Sequence, residues 1–126
     1  MPGWSLAQPS GKLSSLDNLF VLEGLGMSKN PSITIVAYLK ARDGMDEALL
    51  LELRNLVHAT QAETGCVQYI LHRSVEAPKD FMIYEIWRDQ AALNDHVLQA
   101  HYLQFSALAG ELLVEPPIIS QMIQIA

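Results

Sequence analysis

The stretch CVQYILHRSVEAPKDFMIYEIW, residues 66–87, decides the fold of this chain because it contains two strand-like segments joined by a short turn. Residues 66–74 and 81–87 are rich in β-branched and aromatic side chains, which favour extended strands. The sequence APKD at 77–80 is typical of a turn. A connection this short predicts an antiparallel hairpin.

The segment before the hairpin has a strand pattern followed by a helix pattern. Residues 33–39, ITIVAYL, form a β-branched run that predicts the first strand. Residues 45–64 predict a helix that Gly65 ends, because apolar side chains recur along one helical face. The residues of that face are Met45, Leu49, Leu53, Leu56, Val57 and Thr60.

A second helix and a last strand follow the hairpin. Asp89 is placed to cap a helix that starts near Gln90. The helical pattern continues to about Gly110, and the sequence allows a break near Gln99. A proline pair then blocks helix formation, and residues 118–125 alternate like a strand.

The resulting element order, β-α-β-β-α-β, predicts an α+β, ferredoxin-like fold with an antiparallel sheet and helices on one face. The other face of the sheet is then left bare. Because the predicted strands are apolar on both sides, this face needs a cover, and a second copy of the same sheet is the simplest one. We therefore expect a homodimer that forms through the open sheet face.

Residues 1–32 differ in composition from the rest of the chain. They are rich in proline, glycine and serine, and one short apolar segment interrupts them. Such a composition is typical of a connecting or terminal segment and not of a folded unit. We expect an N-terminal arm at 1–32 and a ferredoxin-like domain at 33–126.

The composition excludes several classes of partner. The net charge is −6 and the eight Lys and Arg residues are scattered singly, so neither nucleic acid nor an acidic membrane surface is expected to bind. The apolar runs are too short to span a membrane. One cysteine cannot form an internal disulfide, which fits a reducing compartment. We expect a cytoplasmic protein.

Glu85 is the most unusual residue of the predicted strands, because it lies within an otherwise apolar run. A buried carboxylate is costly unless it is paired or has a function. Strand alternation puts Glu85 on the same face as Trp87, and we expect Tyr69 or a helix histidine to be its partner. A purely structural network around Glu85 is an equally good interpretation.

Several side chains of the second helix are expected to converge on that face. With Glu85 and Trp87 they would line a cleft suited to a small aromatic ligand. These side chains are Asn94, His96, His101, Tyr102 and Phe105. Strand alternation adds Val67, Tyr69, Leu71 and Arg73 as one face of the neighbouring strand.

No cofactor or metal site is expected. The two histidines are five residues apart, about 500° around one helix, so they would not share a face as paired zinc ligands do. The sequence also contains no flavin or nicotinamide fingerprint and no glycine-rich phosphate loop.

Two motifs resemble those of a known family. The sequences ETGCVQY at 63–69 and FMIYEIWRDQAALNDHVLQAHYLQF at 81–105 are similar to the antibiotic biosynthesis monooxygenase domain, especially its small quinol-monooxygenase-like members. The resemblance covers about residues 33–125. The matching positions are Glu63, Gly65, Tyr69, Glu85, Trp87, Ala91 or Ala92, Leu93, His96, His101 and Phe105.

The resemblance implies a dimeric α+β barrel and oxidation of a quinol or phenol by dioxygen without metal or flavin. Glu85 or His96 would be the catalytic base, and Trp87 would stack on the substrate ring. Tyr69 would orient a substrate oxygen. The remaining motif residues on the second helix, His101 and Phe105, would complete the substrate site.

Two alternatives remain open from the sequence, namely an isomerase or lyase of a small oxygenated metabolite and a non-catalytic, dimeric small-molecule-binding protein. The haem-degrading branch of the family is disfavoured, because that branch uses an asparagine on the first strand and residues 33–39 contain none.

Overall fold

The computed structural model describes residues 31–126, and residues 1–30 of the predicted arm lie outside the described part. Four strands and three helices follow one another in the described part. They are β1 (Ile33–Lys40), α1 (Asp46–Gln61), β2 (Cys66–Arg73), β3 (Asp80–Trp87), α2 (Gln90–His96), α3 (Ala100–Leu112) and β4 (Ile118–Met122).

The four strands form one antiparallel sheet in the order β2-β3-β1-β4. This confirms the predicted α+β, ferredoxin-like arrangement and its β2-β3 hairpin. Nowhere in residues 31–126 is a helix both long and apolar enough to cross a membrane.

The second helical region is broken near Gln99, as the sequence allowed, and consists of two helices. Asp89 caps α2 as expected, since its Oδ1 accepts a hydrogen bond of 2.9 Å from the amide of Ala92. Helix α2 ends at His96, and Gln99 adopts an extended backbone before α3 begins. This break turns the direction of the chain between His96 and His101, and so changes which side chains can meet.

One predicted strand face is wrong at its first residue. The pairing of β2 with β3 shifts between Cys66 and Gln68, which places a β-bulge at Val67. A bulge inserts an extra residue and interrupts the alternation of side chains. Val67 is therefore exposed, whereas Tyr69 is buried on the inner face as predicted.

The core lies between the helices and one face of the sheet. Leu49 and Leu53 of α1 are fully buried, whereas Leu51, which falls off the predicted apolar face, is exposed. The inner positions of β3 are all buried, as alternation predicts. These four positions are Phe81, Ile83, Glu85 and Trp87.

The opposite face of the sheet carries exposed apolar side chains. Tyr38 of β1 and Ile118 of β4 are directly paired across the sheet and are 53% and 58% exposed. Ile70 of β2 and Met122 of β4, which are the two edge strands, are also exposed. An apolar sheet face of this kind usually marks a contact surface.

Candidate functional site

Glu85 lies in the middle of the sheet on its inner face. It is opposite Ile35 of β1 and Tyr69 of β2, and only 5% of its surface is exposed. Its hydrogen-bond donor is the indole Nε1 of Trp87, 2.9 Å from Oε1. The expectation that Tyr69 or a helix histidine would be the partner is wrong, because residues i and i+2 of a strand point to the same side and Trp87 is within reach.

Burial makes the carboxyl group of Glu85 a weaker acid than an ordinary glutamate. Loss of solvation raises the pKa of Glu85 to about 8, although the hydrogen bond from Trp87 partly opposes the increase. The negative charge of Glu63 raises this pKa further. A carboxyl group with such a pKa exchanges its proton near neutral pH, which is the property required of a general base or acid.

Aromatic rings surround Trp87 on the helix side of Glu85. The ring centroid of His96 lies 4.5 Å from that of Trp87, and the ring of Tyr69 lies 6.2 Å away in an edge-on arrangement. Tyr102 packs against His96 at 5.0 Å. The predicted meeting of a carboxylate, an indole and an imidazole is therefore present, and we call these four rings the aromatic cluster.

Tyr102 contributes a buried hydroxyl group that has no hydrogen-bond partner within residues 31–126. Buried hydroxyl groups are normally satisfied, so this atom is available to a ligand or to a water molecule. Phe105, one turn further along α3, is buried in the core. It lies outside the ring contacts that define the aromatic cluster.

A second cluster, which we call the polar cluster, is formed by Glu63, His96 and His101 where the ends of the three helices meet. Oε2 of Glu63, in the turn after α1, is 2.7 Å from Nδ1 of His96 and 2.7 Å from Nε2 of His101. The argument that the two histidines would not share a face assumed a continuous helix, whereas the chain breaks between them at Gln99. Burial lowers the pKa of His96, while the hydrogen bond to Glu63 opposes this shift.

Among residues 31–126, Glu63, His96 and His101 form the one group of side chains that could hold a metal ion, since their ligand atoms lie within 4.8 Å of one another. The five-residue spacing of His96 and His101 is therefore no argument against a metal site, because the two residues lie on different helices. However, 2.7 Å is the length of a charge-assisted hydrogen bond. Ligand atoms bound at about 2.0–2.1 Å to one ion normally lie roughly 3 Å apart. We therefore describe the trio as a hydrogen-bonded cluster.

A cavity of about 500 Å³ opens beside the polar cluster. Its lining includes Glu63, Arg88, Asp95 and His101, so it is mainly polar. Glu85, Trp87 and Tyr69 are not among the residues that line this cavity. The predicted single cleft is thus divided into a buried aromatic cluster and a polar cavity, with the polar cluster between them.

Gly65 fixes the position of the polar cluster. A Cβ atom at this glycine would lie 2.3 Å from Cβ of Ala92, so only glycine lets the turn after α1 approach α2. The carbonyl of Gly65 also accepts a 2.9 Å hydrogen bond from the amide of Arg88. This close approach carries Glu63, two residues earlier, to His96 at the other end of α2.

No role was predicted from the sequence for two residues of the site, Glu63 and Tyr102. Glu63 was visible as part of the Glu-x-Gly motif, but its partners are 33 and 38 residues further along the chain. Tyr102 follows His101 directly and was expected near the cleft, but no sequence pattern indicated that its hydroxyl group would lack a partner among the described residues.

Residues 32–108 match the family described as Antibiotic biosynthesis monooxygenase. The chain belongs to this family. It is 37% identical over 84 residues to "Putative monooxygenase YcnE" of Bacillus subtilis, a match that covers 67% of this chain and 88% of that protein. Family membership and this relative indicate a monooxygenase-like role.

Solved structures agree with the family assignment. PA3566 from Pseudomonas aeruginosa superposes with a TM-score of 0.73 at 40% identity, over 76% of this chain and 96% of that one. Rv0793 from Mycobacterium tuberculosis superposes with a TM-score of 0.72 at 28% identity, over 75% and 96% of the two chains. Both matches support the ferredoxin-like fold of the family.

Proposed function

We propose that the protein is a cofactor-independent monooxygenase that oxidises a small quinol or phenol with dioxygen, and that Glu85 is the base that deprotonates the substrate. The observation that carries this proposal is the buried carboxyl group of Glu85 on the inner sheet face, directly beside Trp87 and the aromatic cluster. A structural carboxylate would normally be held by more than one donor, or by a cation.

The chemistry requires no electron donor besides the substrate. Removal of a hydroxyl proton gives an electron-rich anion that reduces dioxygen. One oxygen atom enters the ring and the other leaves as water, so that a quinol becomes a hydroxylated quinone. A ring C–H bond breaks as the new C–O bond forms, and its proton ends on the new hydroxyl group. All four electrons come from the quinol, and the two original hydroxyl protons end in the water molecule. A buried site assists by keeping bulk water away from the reactive intermediate.

The aromatic cluster supplies the surfaces for an aromatic substrate. Trp87 would stack on the substrate ring, and Tyr69 would orient one of its oxygen atoms. The hydroxyl of Tyr102, which lacks a partner among the described residues, is a further candidate to bond a substrate oxygen. His101 and Phe105 would complete the site from α3. Entry of a substrate requires side-chain movement, because the cluster is closely packed.

Oxygen consumption tests the proposal. Metal-stripped protein would be incubated with a panel of reduced naphthoquinols and polyphenols, beside an autoxidation control without protein. We expect uptake above the control with at least one compound, and a rate about 10²–10⁴-fold lower for Glu85→Gln. Trp87→Phe, which removes the indole donor, should also lose activity. Glu111→Gln alters an exposed glutamate of α3 and should match wild type.

No uptake with any compound of the panel would contradict the monooxygenase proposal. Uptake that Glu85→Gln retains in full would instead remove Glu85 from the role of base, while oxygenation itself would stand.

We further propose that the protein is a homodimer that buries the open sheet face. Val36 lies on this face, since it pairs with Tyr84 on one side and Ser120 on the other. Val36→Lys would place an unpaired charge in the interface and should raise the dimer dissociation constant about tenfold or more, as measured by light scattering across a dilution series. Val75→Lys, at a position 97% exposed, is the matched control. A monomeric wild type would contradict this proposal.

We also propose a cytoplasmic location. It is supported by the single cysteine, Cys66, which is unpaired. A chain with no disulfide suits a reducing compartment.

A further inference from the structure

We infer that Glu63 is a positioning residue that keeps a proton on Nδ1 of His96 and thereby directs a basic Nε2 toward the aromatic cluster. His96 would then be a second proton acceptor in addition to Glu85. Only the catalytic consequence of this inference rests on the proposed monooxygenase function, because the state of the imidazole is a property of the folded chain.

The position of the proton follows from the hydrogen bond. An ionised carboxylate can only accept hydrogen bonds, so a contact of 2.7 Å between Oε2 of Glu63 and Nδ1 of His96 requires Nδ1 to be the donor. In a neutral imidazole the other nitrogen, Nε2, is then the acceptor. A carboxylate orients a catalytic histidine in the same way in many hydrolases.

The His96 ring lies among the aromatic side chains. Its centroid is 4.5 Å from Trp87, 5.0 Å from Tyr102 and 5.5 Å from Tyr69. The His96 side chain is itself only 2% exposed, so the ring is largely shielded from bulk water. A substrate hydroxyl bound in this cluster would be the natural donor to Nε2.

His101 holds Glu63 from the other side. Its Nε2 donates to the same carboxylate oxygen at 2.7 Å, and its side chain is 22% exposed at the wall of the polar cavity. Within residues 31–126, Glu63 forms no ion pair with a lysine or arginine. Its negative charge is therefore free to stabilise an imidazolium at His96.

The groups that face His96 come from every element packed around it. Glu63 approaches from the turn after α1, and Glu85 lies behind Trp87 on β3. The other titratable groups around the ring are His101 and Tyr102 of α3 and Tyr69 of β2. Burial and the charge of His101 lower the pKa of His96, whereas Glu63, which is in direct contact with the ring, raises it.

Two proton acceptors suit a quinol better than one. Oxidation of a quinol to a quinone releases two hydroxyl protons, from opposite or adjacent positions of one ring. Glu85 would take one proton and Nε2 of His96 the other. Both protons then pass to the oxygen atom that leaves as water, so the two groups are regenerated in each turnover.

Nitrogen NMR of the histidine side chains tests the inference without a substrate. In wild-type protein treated with a chelator, we expect the proton of neutral His96 on Nδ1. In Glu63→Gln, the pKa of the His96 imidazolium should fall by about one to three pH units, because an opposite charge in contact has been removed. His58 and His72 are exposed and provide internal references, and Glu111→Gln is the matched control.

Three results would overturn the inference. The first is a wild-type His96 that carries its proton on Nε2. The second is an unchanged pKa of His96 in Glu63→Gln. The third is stoichiometric zinc binding that shifts His96 and His101 together and disappears in Glu63→Gln, which would make the trio a metal site. Failure of the oxygen assay affects none of these readouts. Where uptake is found, Glu63→Gln should lower kcat more than it changes KM.

Discussion

Glu85→Gln is expected to be more stable than the wild-type protein at pH 8.5 and about equally stable at pH 5, although it loses activity. The reason is the raised pKa of the buried carboxyl group, which is about 8 in the folded protein compared with 4.5 for an ordinary glutamate. Glutamine has nearly the same shape, and its amide oxygen can still accept the hydrogen bond from Trp87.

The direction of the pH effect follows from proton binding. Between pH 4.5 and about 8 the folded protein retains a proton on Glu85 that the unfolded chain has lost. Stability therefore falls as the pH rises through this interval, and the full cost is present above pH 8. Each pH unit between the two pKa values corresponds to about 1.4 kcal/mol, so the total cost is several kcal/mol before the site relaxes. Glutamine does not titrate and avoids this cost.

Urea unfolding at pH 5, 7 and 8.5 measures the effect. The difference in free energy of unfolding between Glu85→Gln and wild type should increase steadily with pH. Glu111→Gln, which changes an exposed carboxylate, should show no such trend. A difference that stays constant from pH 5 to 8.5 would show that Glu85 is ionised throughout, with a charge that the fold accommodates.

Gly65→Ala is expected to cost about 1–3 kcal/mol of stability through overpacking, and to disturb the polar cluster at the same time. The added methyl group would lie 2.3 Å from Cβ of Ala92. That atom is fixed to its backbone and cannot rotate away, so the turn after α1 must move from α2. Glu63 lies in this turn, and its hydrogen bonds to His96 and His101 should lengthen.

A double-mutant cycle isolates this clash. Ala92→Gly removes the opposing methyl group, so the double variant Gly65→Ala/Ala92→Gly should be more stable than the sum of the two single changes predicts. Gly44→Ala is the comparison for backbone strain alone, because Gly44 has φ +78° and nothing within 4 Å of an added Cβ. It should cost roughly 1–2 kcal/mol without affecting the histidines. Additive effects of the two substitutions would show that Gly65 and Ala92 do not compete for space.

Local patterns were sufficient to predict most of the fold. The alternation of residues 81–87 placed Glu85 and Trp87 on one buried face, and the short turn at 77–80 predicted the hairpin. Asp89 was recognisable as a cap because an aspartate before a helical pattern is a strong local signal. Each of these features depends on residues that are close together in the sequence.

The parts of the site that the sequence did not reveal depend on small irregularities and on distant residues. The bulge at Val67 carries no residue typical of a bulge, so alternation was extended one residue too far. The sequence allowed a break near Gln99 but did not require it, because neither glycine nor proline lies beside it, and a continuous helix would keep His96 and His101 on different faces. The role of Glu63 depends on both the break and the packing of Gly65 against Ala92, which no local pattern records.

The pH dependence of oxygen uptake tests the central proposal most directly. Initial rates would be measured from pH 6 to 10 with metal-stripped protein and the most active quinol of the panel, after subtraction of the autoxidation rate at each pH. If Glu85 is the base, the wild-type rate rises through a midpoint of about 8, where the pKa of Glu85 lies, and this rise is absent in Glu85→Gln. The same rise with the same amplitude in Glu85→Gln would contradict the proposal, because the titrating group would then lie elsewhere.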